Sequence, residues 1–167
     1  MTEESFNKLG RIIYVFNEIE LFINFIITHH IEPKDKEFFL NYILNTSVIN
    51  FGAKIKILIN LGIFHKTQIK QIRDYSSNRN VFAHVNIDDI AEIIPQISPT
   101  DSIKINIRDV IFKTNSEGKL VEMNYEEFLK KFILLQNEII DFISDYILLN
   151  KIDTLYNHIE NLKLHKK

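Results

Sequence analysis

The chain has 167 residues, enough for one domain that buries a hydrophobic core. Hydrophobic residues make up 46% and charged residues 25%, a globular composition that excludes a disordered tail. With only 4 Gly and 3 Pro, the composition also excludes a loop-rich sandwich and a repeat array built on glycine turns. The 20 Lys+Arg against 22 Asp+Glu give a net charge of −2, which argues against a general electrostatic nucleic-acid coat but permits a local basic site. Cysteine is absent, so disulfides, thiolate zinc sites and cysteine nucleophiles are excluded.

The apolar segments lead us to expect a soluble, cytoplasmic protein with no membrane contact. The longest segment by inspection, Leu21 to Ile31, contains Asn24 and Thr28 and is too short to cross a bilayer. The first residues, Met-Thr-Glu-Glu, are acidic where a signal peptide would be basic.

Apolar spacings of three and four residues predict four amphipathic helices before residue 85. Capping residues, glycine and proline indicate where each helix starts or stops. The four are Ser5–Ile31 ending before Glu32-Pro33, a helix from about Lys34 with Asp35 as a cap, Phe51–Leu61 stopped by Gly62, and Thr67–Ala83 with Thr67 as N-cap.

Residues 85–123 have a different pattern and predict an inserted β and loop segment. Ile103, Ile105 and Ile107 alternate with polar residues, which is the period of a half-buried strand. The sequence Asn-Ser-Glu-Gly at 115–118 indicates a turn, and residues 120–123 can return as a second strand. We therefore expect a β-hairpin over about 103–123.

The last third predicts a C-terminal amphipathic helix over 124–163, with Asn124 as its cap. Its final part, from Ile152 to Leu162, is either a short separate helix or a continuation, because no Gly or Pro intervenes. The predicted fold class is mainly α, a single domain over 1–167 with about five helices and a small inserted hairpin.

The fourth helix is unusually polar for this chain. Arg73, Ser77, Asn80 and His84 recur at helical spacing and share one face. Arg79 lies about 140° around the axis from His84 at 100° per residue. The guanidinium could still bend toward the imidazole, the helix could end between the two, or a second copy of the chain could complete a cleft that both face.

The string Arg79-Asn80-Val81-Phe82-Ala83-His84 resembles the Arg-x4-His signature of the HEPN superfamily. That family is a helical bundle, commonly dimeric, and many of its members are metal-independent ribonucleases. The resemblance implies RNA as substrate, a homodimer, no cofactor and no metal, with Arg79 and His84 as the catalytic pair and Asn80 beside them. It also implies a toxin or phage-defence (abortive-infection) setting, with an antitoxin or regulator protein as a partner.

These residue types suit RNA cleavage without a metal. The 2′-OH of RNA attacks its own 3′-phosphate once a base takes its proton. An imidazole with a pKa near ~6.5 can remove that proton or protonate the leaving 5′-oxygen, so His84 fits either role. The Arg79 guanidinium would stabilise the extra charge on the phosphate, and Asn80 would orient His84 or contact phosphate. The expected products carry a 2′,3′-cyclic phosphate and a 5′-hydroxyl.

Other interpretations of the same residues remain open. His84 could cap the C-terminus of its helix, and Arg79 could pair with an acid of the first helix. The chain would then be a non-catalytic HEPN-like interaction, antitoxin or immunity module, or a structural helical dimer. In HEPN toxins inactivated by a nucleotidyltransferase antitoxin, a Tyr follows two residues after the motif His. Here that residue is Asn86, which favours a stand-alone or defence role.

Glu20 is an acid on the otherwise apolar stripe of the first helix. A buried carboxylate is unfavourable without a partner, so Glu20 should meet a donor. Arg79 or His84 would suit, making Glu20 a supporting residue of the site; alternatively, Glu20 lies at the edge of the stripe and reaches solvent.

Four lysines, at 54, 56, 66 and 70, form either a basic rim for RNA or an ordinary solvated face.

Overall fold

The computed structural model describes residues 3–84, 88–94, 104–114 and 119–154, and the side chains of 10–82, 110–112 and 119–154. Within these ranges the fold is mainly α, with a small antiparallel sheet inserted between the fourth and fifth helices. This confirms the predicted fold class. The elements in chain order are α1 (Glu3–Ile31), α2 (Lys36–Phe38) continued by a π-helical turn (Phe39–Ile43), α3 (Phe51–Leu61), α4 (Lys66–His84), β1 (Asp88–Ile94), β2 (Lys104–Thr114), β3 (Leu120–Asn124) and α5 (Tyr125–Leu149).

The long helix α1 packs against α3, α4, α5 and the π-helical turn and supplies much of the core. Its buried positions recur at helical spacing, which removes an apolar stripe from water and stabilises the bundle. Two isoleucines of these helices, Ile13 on α1 and Ile59 on α3, are exposed. The core residues that α1 contributes are Ile12, Val15, Phe16, Ile19, Phe22, Ile23, Phe25, Ile26 and Ile27.

Most of the predicted helix ends are confirmed. The Asp35 side chain accepts the backbone N–H of Phe38, and that of Asn124 accepts the N–H of Glu127. Gly62 ends α3 with φ of 66°, the left-handed conformation that glycine adopts without strain.

The start of α4 was predicted wrongly. The helix begins at Lys66, so Thr67 lies inside it. Gln68, the third residue of the helix, reaches back over this start, and its Oε1 accepts the backbone N–H of His65 at 3.0 Å, as in one half of a capping box.

The inserted sheet has three strands in the order β1-β2-β3. Strands β2 and β3 form the predicted hairpin, and β1 pairs with the other edge of β2. The alternating isoleucines pair with β1, as in Ile105 with Ile93, rather than with β3. The hairpin itself pairs later residues, from Val110 with Asn124 to Thr114 with Leu120. The predicted turn at 115–118 and Ile103 lie outside the described residues.

The predicted helix over 124–163 is too long. Helix α5 ends at Leu149, and residues 150–154 are not helical, with Lys151 at φ of 51°. The interpretation of the C-terminal apolar repeat as a continuation of α5 is therefore wrong, because no continuous helix joins the repeat to α5. Residues 155–167 lie outside the described part of the chain.

The apolar stretch of α1 is longer than the sequence inspection indicated. The 22-residue segment Gly10–Ile31 has a mean hydropathy of 1.3 and by length and composition alone could cross a membrane. However, 67% of that apolar window is buried inside the fold, as in a core helix. The cytoplasmic location and the absence of membrane contact stay predictions.

Candidate functional site

Arg79 occupies a position in the inward stripe of α4. The buried residues of this helix are Ile69, Ile72, Tyr75 and Phe82, at spacings of three and seven. Arg79 stands between Tyr75 and Phe82, where the pattern calls for an apolar residue, and it is half-buried. The unusual polarity of α4 therefore includes one cation directed toward the bundle, which needs a specific environment.

The Arg79 guanidinium is held between α4 and α1. Its Cζ atom lies 4.1 Å from the centroid of the Phe16 ring, within the range of a cation–π contact. Its Nη1 donates to Oδ1 of Asn80 at 3.3 Å, which joins two of the predicted site residues. Its Nε is buried and has no hydrogen-bond partner among the described residues. Arg79 is thus positioned by its packing on Phe16 and its hydrogen bond to Asn80.

An aromatic layer fixes the ring beneath Arg79. Phe16 stacks on Tyr75 with centroids 5.7 Å apart, and Tyr75 stacks on Phe132 at 4.7 Å. The Tyr75 hydroxyl donates to Oε1 of Gln136 at 3.0 Å in a buried setting. Burial raises the pKa of the Tyr75 phenol, against the opposing effect of the nearby Arg79 charge. Tyr75 therefore stays protonated and serves as a fixed support rather than as an acid or base.

His84 is the last residue of α4, and its side chain lies outside the described part of the chain. The helix runs unbroken from Arg79 to His84, so it does not end between them. The two positions are five apart in the sequence, which places them about 7.5 Å apart along the axis and about 140° apart around it. Arg73, Ser77 and Asn80, which share the predicted stripe of His84, are exposed. One copy of the helix consequently directs Arg79 toward α1 and the Asn80 stripe toward solvent.

Among the described side chains, Glu20 bonds to Lys54 and Thr46 rather than to Arg79, and its predicted link to His84 lies outside the described residues. Glu20 is buried, and its Oε1 accepts hydrogen bonds from Nζ of Lys54 and Oγ1 of Thr46, each at 2.5 Å. The expectation that this acid meets a donor is confirmed, but the donor is on α3. The other interpretation, in which Glu20 lies at the edge of the stripe and reaches solvent, is wrong because this residue is only 6% exposed.

Lys54 is the residue that sequence reasoning misplaced. It is fully buried, so it belongs neither to a basic rim nor to a solvated face, unlike Lys56, Lys66 and Lys70, which are exposed. The sequence spacing indicates this burial. Lys54 follows Phe51 by three residues and precedes Leu58 by four, which places Lys54 inside the apolar stripe of α3. Two opposite charges inside the stripes of two neighbouring helices indicate an ion pair.

The described residues also line two cavities. A polar cavity of about 290 Å³ lies between α1 and residues 40–46, and Glu20 forms part of its wall. A second, of about 260 Å³, lies where α1 and α5 end, and Lys36 and Lys151 are among its lining residues. Neither is lined by Arg79 or Asn80.

Near the second cavity, Nε2 of His30 hydrogen-bonds the Tyr146 hydroxyl at 2.7 Å. Partial burial, and then the charge of neighbouring His29, lower the pKa of His30. The two histidine rings are perpendicular with centroids 5.3 Å apart. His30 is thereby favoured in its neutral form.

Within the part of the chain that the structure describes, no three His, Cys, Asp or Glu residues are grouped as metal ligands. No family model, no curated protein and no solved structure matches this chain. The function must therefore be inferred from the residues themselves.

Proposed function

We propose that this chain is a metal-independent endoribonuclease of HEPN type, acting as a homodimer through Arg79 and His84, with Asn80 in support. The observation that carries the proposal is the state of Arg79: an arginine that packs on Phe16 and is hydrogen-bonded to Asn80 while it remains only half-buried, so that part of its side chain stays open to a phosphate. A phosphate oxygen is the acceptor that such a guanidinium binds most strongly.

The chemistry would proceed in one displacement at phosphorus. A histidine takes the proton of the 2′-OH, the 2′-oxygen forms a bond to phosphorus, and the bond to the 5′-oxygen breaks. The leaving 5′-oxygen receives a proton, which gives a 2′,3′-cyclic phosphate and a 5′-hydroxyl. Arg79 would stabilise the charge that accumulates on the phosphate oxygens, a contribution of about 10²- to 10³-fold for a single donor group.

The geometry of α4 supports a dimeric site. Arg79 and His84 are about 140° apart around one helix, so one copy directs them to different sides. In addition, the displacement needs one group to take a proton and another to give one, whereas each copy has a single motif histidine. A second copy with its motif facing the first would supply the second imidazole. It would also bring a histidine of one copy to the arginine of the other.

Matched variants on α4 test the catalytic assignment. We expect Arg79→Ala and His84→Ala each to reduce cleavage of a mixed RNA pool in millimolar EDTA by about 100-fold or more. Arg73→Ala and His65→Ala, which remove the same residue types from exposed positions near or on this helix, should leave cleavage unchanged. Equal loss in the controls would contradict the proposal.

A mixing experiment tests the dimer. Wild-type chains mixed with an excess of His84→Ala chains are expected to lose most of their activity, because a mixed dimer keeps only one of the two imidazoles that the displacement requires. Sedimentation must show the dimer in the same buffer. A monomer that cleaves RNA would exclude the shared cleft.

The alternative is a non-catalytic interaction module, and one observation favours it. The packing of Arg79 on Phe16 stabilises the bundle by itself, by about 0.5–2 kcal/mol. In that case Arg79→Ala would lower the thermal midpoint but His84→Ala and wild type would behave alike toward RNA. A toxin or defence setting is tested in cells, where expression of wild type, but not of His84→Ala, should arrest growth.

A further inference from the structure

The cavity where α1 and α5 end combines an apolar wall with positively charged residues. Its volume of about 260 Å³ is just below the usual size of a ligand pocket, which suits a small molecule. The buried Phe25 and Ile152 and the half-buried Leu40 supply its apolar lining. Lys36 and Lys151 line the same cavity from two separate segments of the chain. A ligand bound here would therefore meet both apolar surface and positive charge.

The two lysines are available to a ligand. Both are exposed, and neither ammonium group forms an ion pair with another described residue. The long, flexible stem of a lysine allows each ammonium group to turn toward a ligand in the cavity. His29 adds a half-buried imidazole from α1, and Asp153 is the acidic residue of the described lining. Two cations against one anion give this lining a net positive charge, which favours an anionic ligand.

Lys151 occupies a backbone position at which glycine is usual. The backbone N–H of Ile152 donates to the carbonyl of Ile147 at 3.0 Å, across the end of α5. The N–H of Lys151 donates to the carbonyl of Leu148 at 3.2 Å, which completes a Schellman motif. This motif places Lys151 in the left-handed conformation, with φ of 51°. Glycine would form the same turn with less strain, so what the lysine adds at this position is its side chain, beside the cavity.

We propose that this cavity binds a small organic phosphate, with the phosphate group at Lys36 and Lys151 and the organic part against the apolar lining. A phosphate monoester carries a charge of about −1.5 to −2 at neutral pH and three strong acceptor oxygens. It can therefore accept hydrogen bonds from both ammonium groups and from the imidazole of His29 at once. A carboxylate has one charge and two oxygens, so it satisfies this set of donors less well.

Equilibrium binding of simple anions tests the ligand class. Isothermal titration of the full chain at low ionic strength uses phenyl phosphate as the probe. Inorganic phosphate lacks the apolar part, benzoate has a single charge, and phenol has none. We expect phenyl phosphate to bind more tightly than inorganic phosphate and benzoate, and phenol to give no detectable heat. Added salt should weaken the binding of phenyl phosphate, because the lysines are exposed.

Matched lysine variants test the residues. Lys36→Ala and Lys151→Gly should each weaken the binding of phenyl phosphate by about tenfold. Lys151→Arg keeps the charge and should retain most of the affinity. Lys70→Ala removes an exposed lysine of α4 that does not line the cavity, so it should bind phenyl phosphate as wild type does.

The stability of Lys151→Gly distinguishes a binding lysine from a structural one. Because glycine adopts the left-handed conformation without strain, the thermal midpoint of this variant without ligand should equal or exceed that of wild type. A structural role for Lys151 would instead lower the midpoint and leave the affinity unchanged. Glu32→Gly relieves the same conformation at the end of α1, where φ is 47°, and should not weaken the binding of phenyl phosphate.

Three results would overturn the inference. They are no detectable binding of phenyl phosphate by folded wild type, tighter binding of benzoate than of phenyl phosphate, and equal affinity of wild type and both lysine variants. Arg79 is not among the lining residues, so Arg79→Ala should bind phenyl phosphate as wild type does while losing cleavage. The phosphate site and the proposed ribonuclease activity can thus fail independently.

Discussion

Replacing Glu20 with Gln is expected to destabilise the fold strongly, although the side chain keeps its size. The carboxylate is the charged partner of Lys54, which is completely buried. The amide oxygen of the new glutamine can still accept from Lys54, as the Thr46 hydroxyl does at 3.4 Å, but neither oxygen carries the charge that balances the ammonium group. A buried cation without a compensating anion is unfavourable because it has lost its hydration.

Breaking a buried pair from one side costs about 3–5 kcal/mol. A domain of this kind has a total stability of about 5–15 kcal/mol, so the variant loses a large share of it. At about 2–4 °C per kcal/mol for a chain of this size, the thermal midpoint should fall by roughly 6–20 °C. Urea unfolding followed by circular dichroism gives the free energy, and a heating scan gives the midpoint.

Two controls make the reasoning refutable. Glu37→Gln, an exposed acid on α2, should change stability by less than about 0.5 kcal/mol. Replacing both members, Glu20→Met with Lys54→Met, should recover most of the loss, because no buried charge then lacks a partner. If the double variant were as unstable as the single one, the loss would come from packing and the ion-pair argument would be refuted.

Three further predictions concern the same bundle. Asn124→Ala removes the cap of α5 and should cost about 1 kcal/mol in urea unfolding, with the spectrum of the folded state unchanged. Tyr75→Phe leaves the Gln136 acceptor buried without its donor and should cost about 1–3 kcal/mol, whereas Tyr42→Phe, at an exposed ring, should cost almost nothing. Because burial and a neighbouring imidazole hold the pKa of His30 below its ordinary value of 6.5, its contribution to stability is present above that value and is lost as pH falls through the lowered pKa. The thermal midpoint of wild type should therefore drop more between about pH 8 and 5 than that of His30→Asn; parallel curves would contradict this.

The parts of the fold that local chemistry decides could be predicted from the sequence. The helices follow from the spacing of apolar residues that are close in the chain. Two of their ends follow from single residues, the start of α5 from the side-chain cap of Asn124 and the end of α3 from the left-handed Gly62. The pairing of β2 with β1 depends on residues 88–94, which do not alternate in polarity. The periodicity therefore indicated the hairpin of β2 with β3 but not the third strand, β1, which pairs with residues 104–110.

For the candidate site, the sequence located the residues but not their directions. The stripe analysis placed Arg79 outside the stripe of Arg73, Ser77 and Asn80, yet it could not show that Arg79 packs on Phe16, because that contact depends on how α1 and α4 cross. Likewise, Glu20 was singled out correctly as a buried acid, while its partner on α3 depends on the packing of a third helix.

The central claim is RNA cleavage by Arg79 and His84, and the most direct measurement is the chemistry of the ends. Wild type and His84→Ala are incubated with mixed RNA in millimolar EDTA, and the products are assayed for 2′,3′-cyclic phosphate and 5′-hydroxyl ends. We expect such ends with wild type and a loss of about 100-fold or more with His84→Ala. No cleavage by folded, dimeric wild type, or equal cleavage by the variant, would contradict it.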